Sequence, residues 1–224
     1  MNSILFVGNS FTYVNDLPAM FEYICNAAGH PLTADRVVKG GWYLSRYADP
    51  ENEMGVILRQ EYPKKAWDVI VWQDQSFNPA RNTPDFLAAS QALCREFPAR
   101  EKAAFYQTWA YEDNTDKLAS TGLTYDEMHA QLKAAYQQAA DENNAVCVPV
   151  GDAFSRCYKT HPEISLYWPD HFHPSESGTY LAACTFYAFL YNQSPLDLTV
   201  PENVDPALAP TLRQIAHDVW QNSK

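Results

Sequence analysis

Two short runs, Ile4-Leu5-Phe6-Val7 and Val69-Ile70-Val71-Trp72, constrain this chain more than any other feature. Neither alternates apolar with polar residues, so a strand built from either has no face to offer to water. Such strands are stable inside a parallel sheet covered by helices on both sides. Around them, strand-like and helix-like stretches take turns. The spacing predicts a helix opened by Asp16 and Pro18 and stopped at Gly29, and a second strand over Leu32–Val38. Further helices are expected over 53–61, from Thr83 to about Phe97 with Thr83 as its cap, and from the Thr124–Glu127 capping box to about Asn143. Ala103–Gln107 and Ala145–Val150 read as the fourth and fifth strands, with Asp152 capping the helix that follows. This alternation over the first 150 residues predicts an α/β fold, a three-layer α/β/α sandwich on a five-stranded parallel sheet. A chain of 224 residues, 46% of them apolar, fits one such domain over 1–224.

The chemistry is expected where strands end. Ile4–Val7 runs into Gly8-Asn9-Ser10-Phe11-Thr12, which sets Ser10 on the turn between a buried strand and a helix. In open α/β sheets, ligands bind beyond the carboxyl ends of the strands, so this is a good place for a nucleophile. The same residues also suit an ordinary capping turn. Near the other end stands Asp170-His171-Phe172-His173-Pro174-Ser175. An Asp three residues before a His, ahead of a helix start, can supply a base and its orienting carboxylate from one loop. With Ser10 it completes a Ser-His-Asp set. His171 competes for the role of base, but only His173 has the three-residue spacing and the Pro-Ser helix start behind it. The loop can also be read as part of a metal site, although no distant partner motif accompanies it.

At these blocks the chain resembles the SGNH/GDSL hydrolase superfamily. The resemblance rests on Gly8-Asn9-Ser10-Phe11-Thr12, Gln73-Asp74-Gln75-Ser76 and the stretch from His173 to about Ala183, and is greatest to a poorly characterised bacterial branch. It implies a flavodoxin-like strand order and a serine esterase in which Ser10 attacks, His173 takes the proton and Asp170 orients the imidazole. It also implies an oxyanion hole made of the Ser10 N–H, a glycine N–H from the second block and a side-chain amide from the third. Gly40 is favoured by its distance from the strand end, with Gly41 as the alternative. Lys39-Gly40-Gly41 can equally be a tight turn. Where the superfamily usually has Gly-x-Asn-Asp, this chain has Gln73-Asp74-Gln75-Ser76. Gln75 falls at the Asn position and offers the same kind of donor on a longer arm, while Gln73 replaces the glycine.

Three tryptophans, Trp42, Trp109 and Trp168, lie on loops expected at that edge and are candidates for contacting substrate. Flat aromatic faces match the C–H face of a sugar ring, and ordinary loop packing is the competing reading. The net charge of −11 argues against nucleic acid and anionic membranes as partners. No phosphate-binding glycine loop is present, and neither cofactor nor metal is expected. The scattered Cys25, Cys94, Cys147, Cys157 and Cys184, together with the lack of a leader-like start, lead to an expectation of a cytoplasmic chain with reduced thiols. The activity expected is hydrolysis of short acyl esters, acetyl foremost, with carbohydrate as a candidate carrier. A binding protein that has kept the fold and lost efficient catalysis is the alternative. A long-chain lipase or thioesterase comes third, because no long apolar lid segment is evident.

Overall fold

The computed structural model describes all 224 residues, Met1–Lys224. Its five strands are β1 (Ser3–Gly8), β2 (Thr33–Val38), β3 (Val69–Trp72), β4 (Lys102–Tyr106) and β5 (Val146–Val148). All neighbours pair in parallel, in the order β2-β1-β3-β4-β5. This is the flavodoxin-like order, and every connection crosses over through helix. The helices are α1 (Ser10–Tyr13), α2 (Leu17–Ala27), α3 (Leu44–Ala48), α4 (Glu53–Glu61), α5 (Asn78–Arg81), α6 (Thr83–Glu96), α7 (Asp116–Ala119), α8 (Tyr125–Glu142), α9 (Val150–Thr160), α10 (Glu176–Tyr191) and α11 (Ala209–Gln221).

The two apolar runs behave as their composition requires. Ile4–Val7 and Val69–Trp72 are buried throughout, on two adjacent interior strands of the sheet. Side chains alternate between faces, so each strand feeds both helical layers. Phe6 meets Phe21 of α2 and Phe186 of α10 edge-on, at 6.2 and 5.5 Å between ring centroids. On β4, Tyr106 reaches the same Phe186 at 5.0 Å, whereas its neighbour Phe105 points the other way to Phe86 of α6, which in turn meets Tyr136 of α8 at 4.9 Å. Each such ring contributes about 1.5–3 kcal/mol by leaving water. Together they join a single apolar cluster of 61 buried residues.

Half of the residues of the edge strand β2 are exposed. Its ladder is blocked to further pairing where the Glu22 carboxylate accepts the Ala34 N–H at 2.7 Å, and flanking charges are engaged by the Arg36–Asp16 and Lys65–Asp35 pairs.

Local expectations hold where side chain and backbone meet within a few residues. Thr124 and Glu127 form a reciprocal capping box, Asp16 caps α2, and Ser175 caps α10. Two caps are corrected. Asp152 does not cap α9, because that helix already begins at Val150 and the carboxylate is held by Lys133 and Gln107 instead. Thr83 does not cap α6 either, since its hydroxyl donates back to the Pro79 carbonyl at 2.7 Å. The five cysteines are unpaired, and burial pushes the thiols of Cys25, Cys94, Cys147, Cys157 and Cys184 up to about 12.

Candidate active site

Residues that follow β1, β2, β3 and β4 meet at the carboxyl edge of the sheet, and a long loop from the last third of the chain closes over them. Ser10 is the first residue of α1, directly after Asn9, whose side chain caps that helix by accepting the Phe11 N–H. The turn is braced from three sides. Gln73, fully buried, accepts from the Asn9 N–H and the Thr12 hydroxyl, both at 2.9 Å, and donates to the Asn9 side chain at 3.0 Å. The Asn9 amide donates to the Trp42 carbonyl at 3.0 Å, and the Tyr47 hydroxyl donates to the Gly8 carbonyl at 2.6 Å. Gly8 is required here by space: a Cβ on it would stand 2.5 Å from Gln73 Oε1. The Gln73 that replaces the usual glycine is therefore the bracket of the turn that carries Ser10.

The His173 loop is ordered by the segment that leaves β4. Trp109 Nε1 donates to the Phe172 carbonyl at 3.0 Å, the Glu112 N–H to the His171 carbonyl at 2.9 Å, and the Tyr167 hydroxyl to the Ala110 carbonyl at 2.9 Å. The loop is tied to the Ser10 side as well, since the Asn15 amide donates to the Pro174 carbonyl at 2.9 Å. Phe11, the residue after Ser10, packs edge-on against the His173 ring with 5.7 Å between centroids. Within the loop, His173 Nδ1 lies 2.6 Å from Asp170 Oδ2, and the other carboxylate oxygen accepts the N–H groups of Phe172 and His173 at 3.2 and 3.0 Å. Burial pushes the Asp170 carboxyl up, but the hydrogen bonds from His173 and Phe172 outweigh it and hold the group below its ordinary value. The remaining ring nitrogen, His173 Nε2, is buried and has no partner. His171 is engaged elsewhere, its Nδ1 2.7 Å from Glu112 Oε2. No group of three His, Cys, Asp or Glu side chains is placed to hold a metal.

Gln75 emerges two residues beyond the bracket. Its carbonyl oxygen accepts the Phe77 and Asn78 N–H groups at 3.0 and 3.1 Å, which orients the amide so that Nε2 donates to Ser76 Oγ at 3.0 Å. Ser76 is in turn 2.6 Å from the Tyr111 hydroxyl. Gly40 and Gly41 sit on the turn after β2, where the Trp42 N–H closes on the Lys39 carbonyl at 3.1 Å; Gly41 has φ +67°, and a Cβ on Gly40 would meet the Tyr13 hydroxyl at 2.9 Å. The N–H groups of Ser10, Gly40 and Gly41 donate to no acceptor within the protein.

Sequence reasoning passed over Asp74. It is wholly buried, accepts from the Leu44 and Gln75 N–H groups at 2.8 and 2.7 Å and from the Asn78 amide at 2.7 Å, and so joins the loop after β2 to the loop after β3. Burial pushes its carboxyl up to about 6 against these bonds. The signal available was a carboxylate placed two residues after the end of a strand with no exposed face.

The three tryptophans fare differently. Trp109 is corrected as a substrate platform: it is fully buried, with Phe11 stacked on one side at 4.5 Å and Phe154 at 4.0 Å, so neither face is free. Trp42 is half-buried, with Lys39 and Arg46 over its ring at 4.1 and 4.6 Å. Trp168 is 39% exposed, and its ring lies 6.3 Å from that of His173. Two concavities, about 690 Å³ beside α2 and about 580 Å³ beside β5, are lined by none of Ser10, Asp170 or His173.

Comparison of the fold with solved structures decides the family. A candidate SGNH hydrolase from Slackia heliotrinireducens superposes with a TM-score of 0.70 and 26% identity over 84% of this chain and 98% of its own. The chain belongs to the SGNH/GDSL hydrolase superfamily. This SGNH fold is also shared with a DUF4886 family protein from Bacteroides uniformis, at a TM-score of 0.79 and 19% identity over 99% of this chain and 95% of the other. An acetyl xylan esterase superposes at 0.62 with 14% identity over 83% and 98% of the two chains. No family model and no curated protein matches the sequence.

Proposed function

We propose that this SGNH hydrolase is a serine esterase that removes short acyl groups, acetyl foremost, with Ser10 as nucleophile, His173 as general base and Asp170 as its orienting carboxylate. The observation that carries the reading is the Asp170–His173 pair, which leaves Nε2 without a partner in a loop tied to the turn of Ser10. With Nδ1–H held by the carboxylate, the lone pair is on Nε2, the nitrogen that must accept the Ser10 proton. Ser10 Oγ then adds to the ester carbonyl and the imidazolium is stabilised by Asp170. Its proton passes to the leaving alcohol, and water repeats the sequence on the acyl-enzyme. The unused N–H groups of Ser10 and Gly40 and the oriented amide of Gln75 receive the oxyanion.

A short acyl group is favoured because Phe11, Trp109 and Phe172 fill the space beside His173 with packed rings, which leaves little room for a long chain. A carbohydrate carrier is supported by the exposed face of Trp168 next to the base and by the fold shared with an acetyl xylan esterase. The test is turnover of 4-nitrophenyl acetate by the wild type and Ser10→Ala, with mass mapping of a fluorophosphonate adduct. Activity that depends on Ser10, with the adduct on that residue, supports the esterase. Equal background rates and no adduct overturn it in favour of a binding protein on the same fold.

A further inference from the structure

Resting on that reading, we infer that the ester this site takes carries a carboxylate on its alcohol part, read by Lys117 on the His173 side of the site and assisted by Arg46 on the opposite side. In a chain with 27 acidic against 16 basic side chains, cations beside the reacting groups are the exception to the general field. Lys117, on α7, places its ammonium 4.0 Å from the centre of the Phe172 ring and 5.0 Å from that of Tyr111. The Phe172 and His173 rings are themselves 4.1 Å apart, so the ammonium stands one ring away from the base. On the other side, the Arg46 guanidinium lies 4.6 Å from the Trp42 ring and 5.2 Å from Tyr43. The Trp42 carbonyl in turn accepts from the Asn9 amide at 3.0 Å, so the ring under Arg46 belongs to the residue that braces the turn of Ser10. One cation is thus linked through Phe172 to His173 and the other through Trp42 to the turn of Ser10.

Neither Arg46 nor Lys117 belongs to an ion pair, whereas the nearby Lys39 is taken by Glu53. Of the acids near Lys117, Glu112 holds His171 and Asp113 receives the Tyr158 hydroxyl, and the adjacent Asp116 forms no ion pair with the ammonium. A cation resting on an aromatic face is positioned without being neutralised, because the ring is a quadrupole and carries no net charge. Its charge remains available to an anion. The leaving alcohol departs from the His173 side, since that ring protonates it, and this is the side that Lys117 borders.

The experiment compares kcat/KM for 4-acetoxybenzoate with that for its neutral methyl ester, each divided by its uncatalysed rate, in the wild type, Lys117→Gln and Arg46→Gln. The expected result is a wild-type ratio in favour of the carboxylate that falls on the order of tenfold in Lys117→Gln, less in Arg46→Gln, and also falls in the wild type as ionic strength rises. A ratio that neither Lys117→Gln nor salt alters, with both esters turned over, overturns the charge reading and leaves the esterase standing. Turnover of neither ester above the Ser10→Ala background overturns the esterase and this inference together.

Discussion

His173 Nδ1 and Asp170 Oδ2 are 2.6 Å apart, while the opposite nitrogen of the same ring is buried without a partner. The carboxylate thereby sets which nitrogen carries the proton. Asp170→Asn keeps the shape and can still accept the Phe172 and His173 N–H groups, but its amide donates to Nδ1 and forces the proton onto Nε2. The expected outcome is a fall in kcat of about 10⁴-fold with little change in the melting temperature, as measured by steady-state kinetics beside thermal unfolding. Retained activity would remove Asp170 from the proposed mechanism.

Gln75 is held by its carbonyl, so its amide is aimed before substrate arrives. Gln75→Ala is expected to lower kcat about 10²- to 10³-fold with a much smaller effect on KM, because in the proposed mechanism the lost donor acts on the oxyanion and not on the ground-state ester. An unchanged kcat would show that Gln75 serves the loop alone.

Asp74 makes stability depend on pH. Its folded value of about 6 lies above the ordinary carboxylate value, so the folded state favours the protonated form. Its contribution is greatest below pH 3.8 and declines as pH rises towards 6, after which it is constant. Asp74→Asn removes this titration. The gap in urea-unfolding free energy between Asp74→Asn and wild type is therefore expected to shift towards the variant between pH 4 and pH 6, and then to hold. Asp74→Ala leaves three buried donors unsatisfied and should cost several kcal/mol, on the order of 1–3 for each.

Trp109 and Trp168 separate packing from contact with substrate. Trp109→Ala opens a cavity between Phe11 and Phe154 and strands the Phe172 carbonyl, with an expected loss of about 3–5 kcal/mol in a denaturant melt. Trp168→Ala is expected to leave the melt within about 0.5 kcal/mol and to raise KM for acetylated sugars. The opposite pattern would exchange their roles.

Much of this protein was legible along the chain. Unbroken apolar runs at 4–7 and 69–72 have only one comfortable setting, a sheet covered on both faces, and the strands obey it. The Asp170–His173 pair was readable for the same reason as the capping box at Thr124: both partners lie three residues apart, so local geometry nearly suffices to join them. What separates Trp109 from Trp168, or makes a bracket of Gln73 and a buried clamp of Asp74, is the set of neighbours brought in from elsewhere. Phe11 and Phe154 close on Trp109 from opposite parts of the chain, and Asn9 reaches Gln73 across 64 positions. Periodicity and spacing report what a residue's neighbours along the backbone require of it. Burial, dielectric surroundings and the position of Lys117 over Phe172 are properties of space, and only the folded chain decided them.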